Sequence, residues 1–393
     1  MSMGAFSHSH SALMRPSRLD GRVAVVTGAN SGIGFGTALG LARLGARVFL
    51  ACRSEKRGKD AAEKISKMLE QASGEDSDAS AAGDEDFVNV AGSADYINLD
   101  LGSMESIDDF VKAFEKHVGS EDETMPACDI LVLSAGVNSG GAAMQNKGNS
   151  VLTSENKDSR NKMFQVNFLG HFYLARRMLP HLRAAGTPSS PSRIVCLSSV
   201  MHNLAGTNDG KSFIDWDAVA SSPTANPYAE TKLALHMLAY EINRRLRARD
   251  AQPCVFAVPV NPGAVASGIW RNDSACTKWI TDRAFISITQ GAQPSIFAAA
   301  SPSVVTLNPE NVYLAPYVPL FDWVDTQWVY NSVHPLLRGA LVRLRLLESL
   351  VSPLAPSGGV AISAPSSHAT NVLAAQRMFD AASTLAGLPQ TLN

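Results

Sequence analysis

The chain has 393 residues, a formal charge of −2 and 45% hydrophobic residues, enough for one α/β domain with inserts and an extension, or for two domains. So balanced a charge carries no polyelectrolyte signature, and nucleic-acid binding finds no support. Five widely spaced cysteines without a Cys-x-x-Cys pair read as reduced core residues of a cytoplasmic protein.

Residues 1–18 read as a flexible tail. They carry Arg15, Arg18, several serines and no acid, but not the apolar core of a secretory signal; a mitochondrial-type presequence is the alternative. His8 and His10 in such a tail are solvated, and no metal site is expected. Val23–Thr27 is a β-branched run that reads as a buried parallel strand, followed by a turn holding Gly28, Gly32 and Gly34 and then by helical spacing from Ile33 to Leu44. Strand, glycine turn and helix bring backbone amides and a helix N-terminus to one point, where a diphosphate can approach. Asn30, Ser31 and Ile33, between the glycines, belong to that cradle.

Arg47–Ala51 is the second strand, and its end is where a dinucleotide fold selects its ribose partner. NAD-type sites hold an acid there. Here the positions are Cys52 and Arg53, so nothing repels a 2′-phosphate and a guanidinium can pair with it, which favours NADP(H) over NAD(H). A solvated loop cation is the blander reading of Arg53. A helix over 56–71 precedes a Ser/Gly/Ala/Asp/Glu-rich insert, 72–94, expected to be disordered. Strands follow at 96–101 and 129–133, the first ending in Asp100 and Leu101, the second running into Ser134, Ala135 and Gly136. Asp100 can also belong to a helix cap, since Ser103 and Ser106 follow.

A second polar insert, 140–157, leads to a helix from Met163 that is apolar almost all round and therefore buried, with Asn167 inside it. Ser192–Ser199 is the fifth strand; its two terminal serines lie at the C-terminal edge, where doubly wound sheets place their chemistry. After a loop over 200–225, Tyr228 and Lys232 stand four residues apart on one helical face. An unperturbed phenol titrates near 10, so action at neutral pH asks for a depression to roughly 7, which Lys232 and an oxidised nicotinamide ring are expected to supply. The helix runs on through Leu246, with Leu233, Leu235, Met237, Leu238 and Ile242 forming a face suited to burial or to a homodimer contact. Val255–Val260 is the sixth strand, closed by a turn at Pro262 and Gly263 that lets main chain run beside a nicotinamide up to Val265. Residues 268–283, with Trp270 and Trp279, are expected to form a flap over a hydrophobic substrate, although two core tryptophans would look the same. A helix over 286–300 and a strand over 312–317 follow. Residues 335–351 form a basic amphipathic stretch, too charged to span a membrane, that packs on the domain or a partner or docks on a lipid surface. A Pro/Ser/Gly linker, 352–367, and a terminal helix, 370–385, end the chain.

Taken together, Gly28-x-x-x-Gly32-x-Gly34 preceded by Thr27, Asp100-Leu101, Ala135-Gly136, Asn167, Ser199 and Tyr228-x-x-x-Lys232 resemble the classical short-chain dehydrogenase/reductase family over residues 19–320. Ala51-Cys-Arg53 and Ser198-Ser199-Val-Met-His202 resemble its retinol-dehydrogenase-like branch. The resemblance implies a Rossmann-type α/β fold, a doubly wound parallel sheet of about seven strands with helices on both faces, carrying a C-terminal helical extension over 321–393. It further implies that Tyr228 exchanges the proton, Ser199 orients the substrate oxygen, Lys232 lowers the phenol pKa and grips the ribose, and Asn167 holds a water. Asp100 and Leu101 would then flank the adenine, and the Val265 backbone would bond the carboxamide. One element departs from the family: Leu133 and Ser134 replace its Asn-Asn, which removes side-chain bonds those residues would lend the sheet. The expected activity is NADP(H)-dependent interconversion of a carbonyl and an alcohol. The rival is a non-catalytic NADPH-binding sensor or scaffold; the glycine spacing does not fit a nucleotide-sugar epimerase.

Overall fold

Short apolar runs bounded by turn residues become parallel strands here because helices cover the sheet on both sides, so no strand has to expose a face. The computed structural model describes residues 16–75, 92–119, 124–138, 162–205, 227–263, 265, 286–307, 312–316, 360–362, 365 and 369–392. Its strands are β1 Val23–Thr27, β2 Arg47–Cys52, β3 Ser93–Asn98, β4 Ile130–Leu133, β5 Ser192–Leu197, β6 Val255–Val260, β7 Leu314–Pro316 and β8 Val360–Ile362. They form one sheet in the order β3-β2-β1-β4-β5-β6-β7-β8, with seven strands parallel and β8 antiparallel to β7. Order reverses between β1 and β4, which makes a crevice at the C-terminal edge of those strands.

The helices are α1 Gly32–Arg43, α2 Glu55–Glu75, α3 Met104–Val118, α4 Gly170–Ala185, α5 Pro227–Arg249, α6 Ile288–Ala300 and α7 Val372–Leu385. Residues of α3, α4, α5 and α7 share one apolar cluster with one face of the sheet. Those of α1, α2 and α6 share the second cluster on the other face. The sheet is thus doubly wound. Immediately before α4 lies a π-helical turn, Gln165–Leu169, with the buried Asn167 at its middle.

Several boundaries differ from expectation. The helix α2 continues to Glu75 and β3 begins at Ser93, so the ends of the polar stretch 72–94 are regular structure; residues 76–91 lie outside the described residues. Because β3 ends at Asn98, Asp100 and Leu101 stand in the turn beyond it. The expected linker 352–367 contains β8, whose three residues pair with Leu314–Pro316. Such a short run has no periodicity of its own to read. The insert 140–157, the flap 268–283 and the basic stretch 335–351 lie outside the described residues.

Leu233, Leu235, Met237, Leu238 and Ile242 of α5 are buried inside the chain, and α7 packs beside them, placing Phe379 and Met378 in the same cluster. Arg245 fastens this arrangement. It pairs with Asp380 of α7 at 2.8 Å and with the buried Glu241, and lies 4.1 Å from the centre of the Phe379 ring. Among the described residues no helix is long and apolar enough to cross a membrane.

Candidate active site

Every residue expected at the site that the structure describes lies along the C-terminal edge of the parallel strands. The first turn leaves β1 at Thr27. Gly28 takes φ 66°, a left-handed conformation, and a Cβ there would stand 2.8 Å from the Ala135 backbone. Glycine therefore lets the β1 and β4 turns close on each other. Ser31 precedes α1 without capping it through its side chain, and the first turn of α1 holds no acid. The helix start accordingly keeps backbone N–H groups for an anion. Asn30 and Ile33 are half-buried in this turn and Ser31 is exposed.

Cys52, buried at the end of β2, lies against the backbone of Ala29 and Asn30, and burial pushes its thiol up to about 11. The end of β2 thus abuts the glycine turn, and Arg53 follows it with an exposed side chain and with its carbonyl accepting from Asn98 Nδ2 at 3.3 Å. Asp100 is engaged locally: its Oδ1 accepts from Gly102 N at 2.8 Å and its own N–H donates to Ser106 Oγ at 2.9 Å. It braces the turn into α3, whose cap is Ser103, while Leu101 is buried beneath.

Ser134, Ala135 and Gly136 leave β4 directly beside the first turn. The Ser134 and Ala135 amides donate to Thr27 Oγ1 at 2.8 and 2.9 Å. Thr27 thereby joins the β1 and β4 turns, a link that the loss of the family's asparagines had put in question. Space for a Cβ exists at Gly136, with Asn167 Oδ1 at 3.6 Å and Lys232 Nζ at 3.7 Å. The position is therefore open enough for a flat group to approach this backbone, with the Asn167 and Lys232 side chains at its border.

Asn167 is held at both ends of its amide. Oδ1 accepts from Val137 N at 2.8 Å; Nδ2 donates to Val137 O at 2.9 Å and to Thr231 Oγ1 at 3.3 Å. Its side chain is thus bonded to the main chain after Gly136 and to the helix that carries Tyr228. Sequence reasoning missed His171, four residues on, which is fully buried and bonds the Asn167 carbonyl through Nδ1 at 2.9 Å and Thr27 Oγ1 through Nε2 at 2.9 Å. A second polar residue in an all-apolar helix was the available signal.

The two serines after β5 divide their work. Ser198 is buried and donates to the Lys232 carbonyl at 2.8 Å. Ser199 Oγ accepts from Met201 N at 3.2 Å and shares a side-chain hydrogen bond with Tyr228. Lys232 Nζ donates to the Leu197 carbonyl at 2.8 Å, in a buried position 5.6 Å from the centre of the Tyr228 ring. Burial lowers the ammonium to about 8. Burial also raises the phenol, to about 12, against the opposing hydrogen bond to Ser199. The expected depression calls on the charge of an oxidised nicotinamide ring as well as on Lys232; without that ring, desolvation outweighs the hydrogen bond to Ser199.

Asn261 was also missed as a site residue, although it opens the Asn-Pro-Gly turn. Its Oδ1 accepts from Gly263 N at 3.0 Å and from Val200 N at 3.3 Å, tying the turn after β6 to the residue following Ser199. Pro262 and Val265 are buried, and Val265 bridges to Ile286 beside the start of α6. His202 donates Nδ1–H to the Ser199 carbonyl at 2.7 Å, with the Tyr313 ring behind it.

The class that this fold defines is a doubly wound α/β protein with a glycine turn of the dinucleotide-binding kind. The family model for short chain dehydrogenase matches residues 22–85 and 72–209. Human polyprenol dehydrogenase is 30% identical over 76% of this chain and 78% of its own length. Mouse retinol dehydrogenase 14 is 30% identical over 74% and 76%. Chicken WW domain-containing oxidoreductase is 33% identical over 72% of this chain, which spans 59% of that protein. The chain likewise spans 54% of human dehydrogenase/reductase SDR family member 13. Among solved structures, an uncharacterized protein from Mycobacterium paratuberculosis superposes with a TM-score of 0.57 at 21% identity over 95% of this chain and 96% of its own. Pseudomonas aeruginosa RhlG, in an NADP complex, superposes with 0.51 at 22% identity over 75% and 96%. The chain belongs to the short-chain dehydrogenase/reductase family, in its retinol-dehydrogenase-like branch.

Proposed function

We propose that the chain is an NADP(H)-dependent oxidoreductase that interconverts a carbonyl and an alcohol on a small hydrophobic substrate, with Tyr228 as acid and base. The observation that carries this is the Ser199–Tyr228 hydrogen bond beside the buried Lys232 ammonium, at the switch-point edge of the sheet.

A nicotinamide cofactor, when bound, supplies or accepts the hydride. The residues fit such a group: uncapped amides at the start of α1 would receive a diphosphate, the exposed Arg53 would pair with a 2′-phosphate, and the Gly136 backbone leaves room near Lys232. Asp100 and Leu101 would border the adenine and Pro262 and Gly263 the nicotinamide, with Val265 at the carboxamide. In reduction Tyr228 gives its proton to the carbonyl oxygen, and Ser199, already bonded to the phenol, holds that oxygen in line. Lys232 supplies positive charge to the phenolate that results, and Asn167 holds the backbone beside it. Polyprenol and retinol, after which two relatives are named, are apolar alcohols, and a substrate of that character suits this reading. Cysteine usage supports a cytoplasmic location, with 335–351 as a peripheral membrane contact in the alternative.

The test follows NADPH absorbance with a panel of aldehydes, ketones and retinoids. Turnover that disappears in Tyr228→Phe while NADPH affinity stays nearly intact supports the assignment. Retained turnover in that variant ends it, and NADPH binding without turnover of any panel member points to a sensor or scaffold.

A further inference from the structure

We infer that His171 is a positioning residue that joins the cofactor turn to the catalytic helix through its two ring nitrogens. Its kinetic consequences rest on the function proposed above; its hydrogen-bonding state does not.

The bonding leaves one arrangement. The Asn167 carbonyl can only accept, so His171 Nδ1 carries the hydrogen. A neutral ring then presents Nε2 as an acceptor, and the Thr27 hydroxyl must donate to it. Thr27 has one hydrogen, so its oxygen receives the Ser134 and Ala135 amides, and the longer approach to the Val132 carbonyl, 3.3 Å, goes unused. The ring is neutral in this setting because full burial lowers it to about 4, with the nearby Lys232 charge acting the same way.

The line does not stop at Asn167. Its amide reaches Thr231 Oγ1, which donates to the Tyr228 carbonyl at 2.8 Å. Backbone of the β4 turn, Thr27, His171, Asn167, Thr231 and Tyr228 thus form one hydrogen-bonded chain, with His171 linking its cofactor half to its catalytic half. Leu133 and Ser134, at the end of β4, carry no side-chain amide that could make this link, and the His171 ring makes it from the neighbouring helix.

Two substitutions separate the halves. His171→Asn places an amide where Nδ1 was and keeps the Asn167 bond, but is too short to reach Thr27. His171→Gln extends an amide toward the Nε2 position and keeps the Thr27 bond instead. Each variant loses one buried hydrogen bond, so their thermal midpoints fall together. Their kinetics diverge: His171→Asn weakens NADPH binding about tenfold with kcat within about threefold of wild type, and His171→Gln lowers kcat about tenfold with NADPH affinity within about threefold. Parallel losses in both quantities, or no loss in either variant, overturn the proposal. Nitrogen NMR of the labelled wild-type protein, with the His171 signals identified by their disappearance in His171→Asn, tests the inference without cofactor. It should show an Nδ1–H ring that does not titrate between about pH 5 and 8. An Nε2–H or titrating ring refutes it, and a protein that binds no nicotinamide cofactor defeats the functional reading while leaving this measurement decisive.

Discussion

The Lys232 ammonium stands 5.6 Å from the centre of the Tyr228 ring and is anchored at 2.8 Å on the carbonyl of Leu197, the last residue of β5. The helical step of four residues puts the two side chains on one face, and the end of β5 sets how deep the ammonium sits. That depth has opposite consequences for the two groups, lowering the ammonium to about 8 and raising the phenol to about 12.

On the proposed mechanism, reduction requires a protonated phenol and benefits from a charged ammonium. The phenol keeps its proton throughout the working range, whereas Lys232 loses its charge as pH rises through about 8. The value of kcat/KM for reduction is therefore expected to be level at neutral pH and to fall above about pH 8. Alcohol oxidation, which needs the phenolate, should rise over the same range. Steady-state rates from about pH 6 to 10 in both directions check this, and Lys232→Arg, which stays charged, should remove the descending limb.

Arg53 stands exposed at the end of β2, beside a glycine turn that Cys52 touches. Its replacement by glutamate, Arg53→Glu, should weaken NADPH roughly a hundredfold while leaving NADH unchanged or improved, since it exchanges a partner of the 2′-phosphate for a like charge. Titration with both cofactors measures the ratio. An unaltered ratio would show that Arg53 is a solvated loop cation.

The β1 turn closes on the β4 turn only without a side chain at Gly28. Gly28→Ala combines an unfavourable φ with a 2.8 Å approach to the Ala135 backbone, and is expected to destabilise the protein by about 3 kcal/mol and to reduce cofactor affinity. Urea unfolding and cofactor titration measure the two effects.

Arg245, paired with Glu241 of its own helix, ties α5 to α7 through Asp380 and the face of Phe379, and to the segment after α7 through the Gln390 carbonyl. Among the described residues, Arg245→Ala leaves the buried Glu241 paired with Arg244. The expected loss is about 2 to 3 kcal/mol, at or below the lower end of the roughly 3 to 5 kcal/mol for breaking a buried pair, because Arg244 still faces Glu241. Arg245→Lys should recover only part of it, because an ammonium cannot reproduce the planar fork. Denaturation midpoints of the three proteins decide the matter.

Much of the architecture was legible locally. Val23–Thr27 and Val255–Val260 agree residue for residue, because an apolar run buried on both faces and stopped by turn residues leaves little choice of boundary. Tyr228 and Lys232 were visible for the same kind of reason, a fixed helical spacing. By contrast β3 begins three residues earlier than expected, at Ser93, since its polar sequence takes its register from β2 rather than from its own pattern. His171 was hidden inside a helix whose apolar surroundings drew attention to Asn167 alone.

The order of motifs, the glycine spacing and the strand and helix periods determined the family, the direction of the sheet and the edge at which its chemistry lies, because these depend on near neighbours in the chain. Tertiary structure decided the rest: that β8 and α7 close onto the same sheet and core, that Thr27 and His171 join the turns, and that Tyr228 holds its proton more tightly than a free phenol. Each of those depends on what residues distant in sequence exclude from water, and desolvation has no signature in a local pattern.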